Sequence, residues 1–384
     1  MDPVHGRVEF GSAGGDEVRT DLGSFTGRRC PFWDGGVGLL GEGTVVVTTM
    51  RRGRGLFATA LAVLVCAGAA VPAGAEQRAE AVPTVFFGDS YTANYGIALK
   101  QDMSDFTEML CFRAEQNFPA VTTRELAEKG RTLDITADRS CGGAVINNFW
   151  NDQTLYPTQE TAKPQQDALK ADTRLVVGSL GGNTVGFVNI LKQCSQKLRD
   201  EGGLLPGAPV DSDQSAEQCA AFFTEGDGKQ WLDYRFEQAD YELEELLDRI
   251  AYFSPDATAV LVGYPRIVPA DAGKCRTPAP GQTTTPLADV PADALPVFDQ
   301  VQERLNDLMR TKATEFGATF VDLYAVTGDN TACDGADRAI GGLFEDSQVT
   351  FGEQALPWYL HPNAQGRDLQ SSHVATAIQN ALSA

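Results

Sequence analysis

The sequence predicts an α/β protein, a three-layer α/β/α sandwich around a central, mostly parallel sheet. Two observations predict it. Short, uninterrupted apolar runs recur along the chain, and segments with helical periodicity lie between them. Uninterrupted apolar runs are typical of strands that are covered on both faces, as in a parallel sheet. An alternating β-α order with right-handed crossovers then places helices on both sides of that sheet.

The predicted strands follow one another from residue 84 onward. Their sequences are TVFF at 84–87, LDI at 133–135, RLVVGSL at 174–180, ATAVLV at 257–262 and TFVDL at 319–323. In open α/β sheets, ligands bind beyond the carboxyl ends of the strands. The residues that directly follow these runs are therefore where we expect the chemistry.

Three segments have the apolar spacing of amphipathic helices. They cover residues 236–253, 297–316 and 364–382. The period of their apolar residues is close to 3.6, which is the repeat of an α-helix packed on one face. Asn363 directly precedes the last segment and is the expected N-cap of its helix.

Two long stretches, 202–228 and 276–296, fit neither pattern and are expected to be irregular. Both are rich in glycine, proline and small polar residues. Long ordered loops often line binding sites, and exposed decoration is the alternative. The sequence indicates no internal repeat and no second domain, so residues 82–384 are expected to form one domain.

The first 75 residues are expected to lie outside the fold. Residues 50–75 resemble a secretory signal peptide, with arginines at the start, a short apolar core and an A-G-A cleavage site at the end. A retained N-terminal anchor and lipid attachment at Cys66 are the alternatives. Residues 1–49 are interpreted as an over-extended gene model or a disordered extension, with Met50 as the true start.

The composition excludes several classes of protein. The 384 residues include 31 Lys and Arg against 52 Asp and Glu, a net charge of −21. Such an acidic chain is not expected to bind nucleic acid, because phosphate binding needs a basic surface. A protein with several membrane spans is excluded, because only one apolar run approaches the required length and it lies near the N-terminus. We expect a monomer without a stable membrane anchor once the signal is cleaved.

The cysteines after residue 75 predict disulfide bonds. An even number in an exported chain is typical of a disulfide framework, and the absence of a C-x-x-C pair argues against zinc. Six cysteines allow 15 pairings, among which sequential pairing is the simplest. That choice gives Cys111–Cys141, Cys194–Cys219 and Cys275–Cys333.

Four short motifs carry residues suited to acyl transfer. Ser90 follows the first strand in G-D-S-Y, and Gly143 follows the second in C-G-G-A. Asn183 follows the third strand in G-G-N, and His361 precedes the last helix in L-H-P-N. Each motif alone is more simply an ordinary turn, a helix cap or a packed side chain. After residue 75 the only other histidine is His373, within the last predicted helix, so His361 is the better candidate for a neutral base.

Taken together and in this order, the motifs resemble the blocks of the SGNH hydrolase superfamily, the GDSL-type lipases and esterases. Tyr91 stands where that family usually has Leu, and Thr184 where it often has Asp. The resemblance covers residues 82–384 and implies a flavodoxin-like fold with Ser90 as nucleophile and His361 as base. It also implies an oxyanion hole built from Ser90, Gly143 and Asn183. The signal sequence and the six cysteines resemble the secreted actinobacterial branch, in which three sequential disulfides are typical.

One position departs from the family pattern. The family usually places Asp three residues before the histidine, where this chain has Trp358. By resemblance to members that lack the Asp, the main-chain carbonyl of Trp358 would orient His361. An acidic residue elsewhere, such as Asp346 or Glu353, is the alternative.

The resemblance implies a secreted serine ester hydrolase that works through a covalent acyl-enzyme. It needs neither a metal nor an organic cofactor. The expected substrates are small esters, lipids or acylated sugars. A carbohydrate or cell-wall acyl esterase is the first alternative. A catalytically silent extracellular binding protein of the same fold is the second.

Overall fold

The described part of the chain is an alternation of strands and helices around one central sheet. The computed structural model describes residues 80–99, 109–201 and 205–383. All of them fall in one of the two units into which the chain divides, Pro72–Ala384. The expected signal peptide, residues 50–75, and the segment before it lie outside the described residues.

The described strands, in chain order, are β1 (Val82–Gly88), β2 (Leu133–Asp138), β3 (Gln153–Thr154), β4 (Thr161–Ala162), β5 (Leu175–Ser179), β6 (Thr258–Val262), β7 (Thr319–Val321), β8 (Asp346–Phe351) and β9 (Gln354–Pro357). The described helices are α1 (Ser90–Ala93), α2 (Phe118–Glu128), α3 (Phe187–Cys194), α4 (Gln196–Asp200), α5 (Cys219–Glu225), α6 (Asp227–Phe253), α7 (Leu295–Glu315), α8 (Leu323–Val326) and α9 (Ala364–Ala381). Short 3-10 helices occur at Ile146–Phe149, Gln165–Ala168, Ala216–Gln218, Ala272–Arg276 and Gly335–Asp337.

The central sheet has the order β2-β1-β5-β6-β7, and every neighbouring pair is parallel. Its strands coincide with the five predicted strands, so the predicted fold class is confirmed. Because all five strands run in one direction, their carboxyl ends meet at one edge of the sheet. The remaining strands form two antiparallel hairpins, β3–β4 and β8–β9, which the sequence did not predict.

Side chains on both faces of β1, β5 and β6 are mostly buried, whereas the edge strand β2 is largely exposed. Successive side chains of a strand point to opposite faces. On β1, Val85 and Phe87 belong to one apolar cluster, together with residues of α6 and α7 such as Leu246 and Leu305. Phe86 belongs to the cluster on the other face, with residues of α2 and α9. The uninterrupted apolar runs thus reflect two helical layers, one on each face.

The stretch 202–228 is not irregular throughout, and that expectation was wrong. It contains α5, and α6 begins at Asp227 rather than at residue 236. The glycines where α5 meets α6 suggest a loop in the sequence, but they are needed for packing. A Cβ atom on Gly228 would lie 2.5 Å from the ring of Phe222, so only glycine allows α5 and α6 to meet here.

The last helix begins where the sequence predicted. The side chain of Asn363 accepts a hydrogen bond from the Gly366 N–H at 3.0 Å, which is the N-cap interaction. This cap fixes the chain direction directly after His361.

Candidate active site

Ser90 is the first residue of α1, directly after the tight turn that follows β1 at the carboxyl edge of the sheet. The turn needs glycine at position 88, where φ is +148° and a Cβ atom would lie 2.1 Å from Thr92 Oγ1. Asp89 then caps α1 by accepting a hydrogen bond from the Tyr91 N–H at 2.9 Å. Ser90 lines a cavity at this edge.

His361 reaches Ser90 from the other end of the sequence. The distance between His361 Nε2 and Ser90 Oγ is 2.7 Å, across a sequence separation of 271 residues. The two residues that the sequence proposed as base and nucleophile are therefore in hydrogen-bond contact.

The other ring nitrogen of His361 faces main-chain oxygens. Nδ1 lies 2.9 Å from the carbonyl oxygen of Trp358 and 3.1 Å from that of Tyr359. Carbonyl oxygens only accept, so Nδ1 carries the proton and donates it. Nε2 is then unprotonated and can accept the hydrogen of the Ser90 hydroxyl group.

An unusual backbone turn directs these carbonyls toward the ring. Tyr359 and Leu360 both have left-handed backbone angles, with φ values of 48° and 62°. Such angles are strained for residues with a side chain, and this strain is tolerated only where the surroundings hold it. The turn also lets the Trp358 carbonyl accept the His361 backbone N–H at 3.0 Å.

Two tyrosines near Ser90 hold this turn in place. The Tyr91 hydroxyl donates to the carbonyl of Leu360 at 2.8 Å, and the Tyr95 hydroxyl donates to that of Pro357 at 3.1 Å. Both rings also pack against the imidazole, with centroid distances of 4.9 and 4.8 Å. Tyr91, which replaces the leucine usual in the family, thus links the serine turn to the histidine loop.

Asp346 and Glu353, considered above as acidic partners of the histidine, are both exposed. Asp346 opens β8, and Glu353 lies in the turn between β8 and β9. Within the described part of the chain, neither makes a hydrogen bond to His361.

Burial keeps His361 neutral. Burial among aromatic rings lowers the pKa of His361 to about 4, although the Trp358 and Tyr359 carbonyls oppose the shift by favouring the protonated ring. The ordinary value of about 6.5 is therefore not the one that applies in the fold. His361 is unprotonated, and so able to act as a base, down to mildly acidic pH.

Gly143 and Asn183 lie beside Ser90 along the same cavity. Gly143 has φ +77°, and its turn is held by a hydrogen bond of 2.8 Å from the Gly142 N–H to the carbonyl of Cys111. The Asn183 side-chain amide donates to the Ala144 carbonyl at 3.0 Å, which ties the two turns together. Among the described residues, no acceptor is bound to the backbone N–H of Ser90 or of Gly143.

The six cysteines among the described residues are joined in sequential order, as Cys111–Cys141, Cys194–Cys219 and Cys275–Cys333. The first disulfide lies next to the Gly143 turn. The second joins α3 to α5. The third links the Ala272–Arg276 helix to the loop that follows α8.

The cavity at Ser90 has a volume of about 150 Å³. Much of its wall is apolar and comes from α3, the loop after α4, the loop after β6 and α7: Phe187, Val188, Leu191, Leu205, Ile267 and Leu305. A more polar part of the wall includes Gln153, Thr154 and Tyr156. Within the described residues, no lysine or arginine lines it.

Lys192 fixes one wall of this cavity from behind. Its ammonium group donates to the carbonyls of Leu205 and Gly207, both at 2.7 Å, and burial lowers its pKa. Because Leu205 and Pro206 line the cavity, this buried cation holds the loop after α4 against it.

Sequence reasoning missed a buried polar chain beneath Ser90. The Tyr264 hydroxyl donates to Asp89 Oδ2 at 2.6 Å and accepts the Gly182 N–H at 2.9 Å. Gln165 is a second missed residue. Its side chain pairs with both the N–H and the carbonyl of Gly88, at 2.7 and 2.9 Å. The only sequence signal was that Tyr264 lies directly after a strand, in G-Y-P.

The described residues hold no cluster of three or more His, Cys, Asp or Glu side chains that could bind a metal ion. They also form no helix that is long and apolar enough to cross a membrane.

A hydroxyl group held against a neutral imidazole, above an apolar cavity at the carboxyl edge of a parallel sheet, is the arrangement of an ester hydrolase. Comparison with known proteins agrees. The model of the GDSL-like lipase/acylhydrolase family matches residues 86–369. The chain belongs to this family, as the sequence motifs predicted.

Two relatives are similar over most of the chain. An esterase from Streptomyces scabiei is 60% identical over 331 residues, which are 86% of this chain and 95% of the relative. Lipase 2 from Streptomyces coelicolor is 30% identical over 306 residues, 78% of this chain and 88% of the relative.

Two solved structures have the same fold. They are phospholipase A1 from Streptomyces albidoflavus NA297, with a TM-score of 0.52 at 19% identity, and the extracellular lipase from Streptomyces rimosus, with 0.51 at 20%. The matches cover 79% and 78% of this chain and 100% of each neighbour.

Proposed function

We propose that the protein is a secreted serine esterase that hydrolyses neutral esters with an apolar acyl group, through a covalent acyl-enzyme and a Ser90–His361 dyad. The single observation that carries this proposal is the contact of 2.7 Å between Ser90 Oγ and an imidazole whose Nδ1 hydrogen is committed to main-chain carbonyls. This arrangement leaves Nε2 as the base.

The reaction follows from that contact. Ser90 Oγ attacks the ester carbonyl carbon while His361 Nε2 takes its proton, and the imidazolium then protonates the leaving alcohol. A water molecule, deprotonated by the same nitrogen, then attacks the acyl carbon. The bond to Ser90 Oγ breaks, the acid is released and the imidazolium returns the proton to Ser90 Oγ. The Trp358 carbonyl keeps the ring in the required tautomer throughout.

The oxyanion of each tetrahedral intermediate would be held by the N–H groups of Ser90 and Gly143 and by the Asn183 amide. The first two have no other acceptor among the described residues, which supports this role. Each donor of this kind typically contributes about 3–4 kcal/mol to the transition state.

The cavity favours one class of substrate. An apolar wall stabilises a hydrocarbon chain by roughly 0.8 kcal/mol for each methylene group that it buries. No cation within the described part of the cavity could bind a phosphate, so neutral esters are favoured over phospholipids. The same apolar wall argues against acetylated sugars, whose acyl group is a single methyl.

Secretion is part of the proposal. It is supported by the signal-like segment at residues 50–75 and by the three disulfides, which persist in oxidising compartments outside the cytosol.

The test uses p-nitrophenyl esters of increasing acyl length with Ser90→Ala and His361→Ala. Each change should lower kcat/KM by at least about 10³-fold, because the two groups act as one unit. His373→Ala is the matched control, since this histidine lies in α9 and does not line the cavity. Full activity in Ser90→Ala would contradict the assignment.

Labelling with a fluorophosphonate separates the enzyme from a silent binding protein. The folded wild type should be labelled at Ser90, and Ser90→Ala should not. A folded wild-type protein without label or esterase activity would support the binding protein. A preference for acetylated sugars over longer acyl esters would support the carbohydrate esterase.

A further inference from the structure

We propose that Tyr264 is a positioning residue for ester hydrolysis, whose hydroxyl group joins the turn that carries Ser90 to the turn that carries Asn183. This inference rests on the proposed function, because it assigns those two residues as nucleophile and oxyanion donor. It adds a residue from a third strand end that makes the two groups one rigid unit.

The hydrogen bonds of the Tyr264 hydroxyl group place it between the two turns. It donates to Asp89 Oδ2 at 2.6 Å and accepts from the Gly182 N–H at 2.9 Å. Asp89 directly precedes Ser90, and Gly182 directly precedes Asn183. The phenol oxygen of Tyr264 therefore fixes the distance between the turn before Ser90 and the turn before Asn183.

Tyr264 is itself held firmly. Its side chain is 3% exposed, and its backbone N–H donates to the buried Asn306 side chain at 2.8 Å. Its ring packs edge-on against Tyr91 at 5.1 Å. A Cβ atom on Gly182 would lie 3.3 Å from the ring, so glycine at this position allows the close approach. The strand ends of β1, β5 and β6 are neighbours in the sheet and meet at this one side chain.

The acceptor of the Tyr264 hydrogen bond is a buried carboxyl group. Burial raises the pKa of Asp89 to about 6, against the opposing effect of hydrogen bonds from Tyr264 and from the Tyr91 N–H. The titratable groups that contact Asp89 are Tyr264 and Tyr91, and His361 packs against the Tyr91 ring. A carboxylate accepts both hydrogen bonds, whereas a protonated carboxyl group brings a competing donor.

Loss of the hydroxyl group has two consequences. In Tyr264→Phe, the Gly182 N–H and Asp89 Oδ2 lose the hydrogen-bond partner that they share, so the two turns are no longer tied through the phenol. The carboxylate also loses a donor, and the pKa of Asp89 rises further. The acid limb of the pH profile, which is the fall of kcat/KM at low pH, should therefore move to higher pH.

The experiment compares Tyr264→Phe with Tyr324→Phe. Tyr324 is a matched control, because its hydroxyl group also donates to an aspartate, Asp299, at 2.8 Å, but it does not line the cavity. We expect kcat to fall about 10- to 100-fold in Tyr264→Phe with KM nearly unchanged, as for a small misplacement of reacting groups. Tyr324→Phe should keep the wild-type kcat.

The pH profile separates positioning from a general loss of structure. The wild type should lose kcat/KM below about pH 6 as Asp89 binds a proton. Asp89→Asn should lack that limb and keep only the one near pH 4 from His361. The effects of Tyr264→Phe and Asp89→Asn on kcat should not be additive, because both change the same hydrogen bond between residues 89 and 264.

Two outcomes would overturn the inference about Tyr264, and a third would contradict the proposed function. A wild-type kcat in Tyr264→Phe would overturn the inference. A lower kcat with an unmoved acid limb and additive double-mutant effects would also overturn it and reduce Tyr264 to a packing residue. Full activity in Ser90→Ala would instead contradict the proposed function, so the two failures are distinguishable.

Discussion

Asp89 makes folding stability depend on pH in a way that one substitution can isolate. Burial raises the pKa of Asp89 from 3.8 to about 6, so between these values the folded protein holds a proton that the unfolded chain releases. Stability is then lost as the pH rises through this window. At 1.36 kcal/mol per pH unit, the full cost of ionising the buried carboxyl group is about 3 kcal/mol. Asp89→Asn cannot ionise and is free of this cost.

The measurement is urea unfolding of the wild type and Asp89→Asn between pH 4 and pH 8. Asn has one acceptor oxygen for two donors, which adds a constant offset that does not depend on pH. The unfolding free energy of Asp89→Asn minus that of the wild type should increase by about 2–3 kcal/mol from pH 4 to pH 8. The opposite contribution of His361, whose pKa is lowered, is common to both proteins and cancels. Parallel stability curves would refute the reasoning.

Two further predictions test the proposed oxyanion donor and the proposed orienting carbonyl. Asn183→Ala should lower kcat by about 10²–10³-fold. Asn189→Ala is the control and should keep the wild-type kcat, because the Asn189 side chain donates to the Ala208 carbonyl at 2.8 Å. Equal kcat values in the two variants would contradict the assignment. Trp358→Phe should cost about 1–3 kcal/mol of stability but keep kcat within a few-fold, because the acceptor of His361 is the main-chain oxygen. In that variant, a folded protein as slow as His361→Ala would contradict the role of the carbonyl.

The strands and the position of the site were predictable, because buried parallel strands leave an unbroken apolar run and chemistry follows at their carboxyl ends. This rule located Ser90 after β1 and Asn183 after β5. The hairpins β3–β4 and β8–β9 were missed, because short polar strands leave no such run. The start of α6 was missed because glycine in a sequence suggests a turn, whereas Gly228 is needed for close packing against Phe222.

The hydrogen bonds and pKa values of the candidate site could not be predicted from local sequence. The Tyr264–Asp89 hydrogen bond joins residues 175 positions apart, and no short motif encodes that contact. The low pKa of His361 depends on burial, to which the rings of Tyr91 and Tyr95 contribute, and these reach the imidazole only in the complete fold. Sequence supplies the proposed reacting groups, whereas their protonation states arise from tertiary packing.

The imidazole and the hydroxyl group that it contacts belong to segments far apart in the sequence. His361 directly precedes the loop into α9, and Ser90 lies 271 positions earlier. Under the proposed mechanism, a truncated polypeptide that ends before His361 carries the nucleophile without its base and is expected to be inactive toward esters. The return of activity on dilution from denaturant would therefore report when the segment that carries His361 docks beside Ser90.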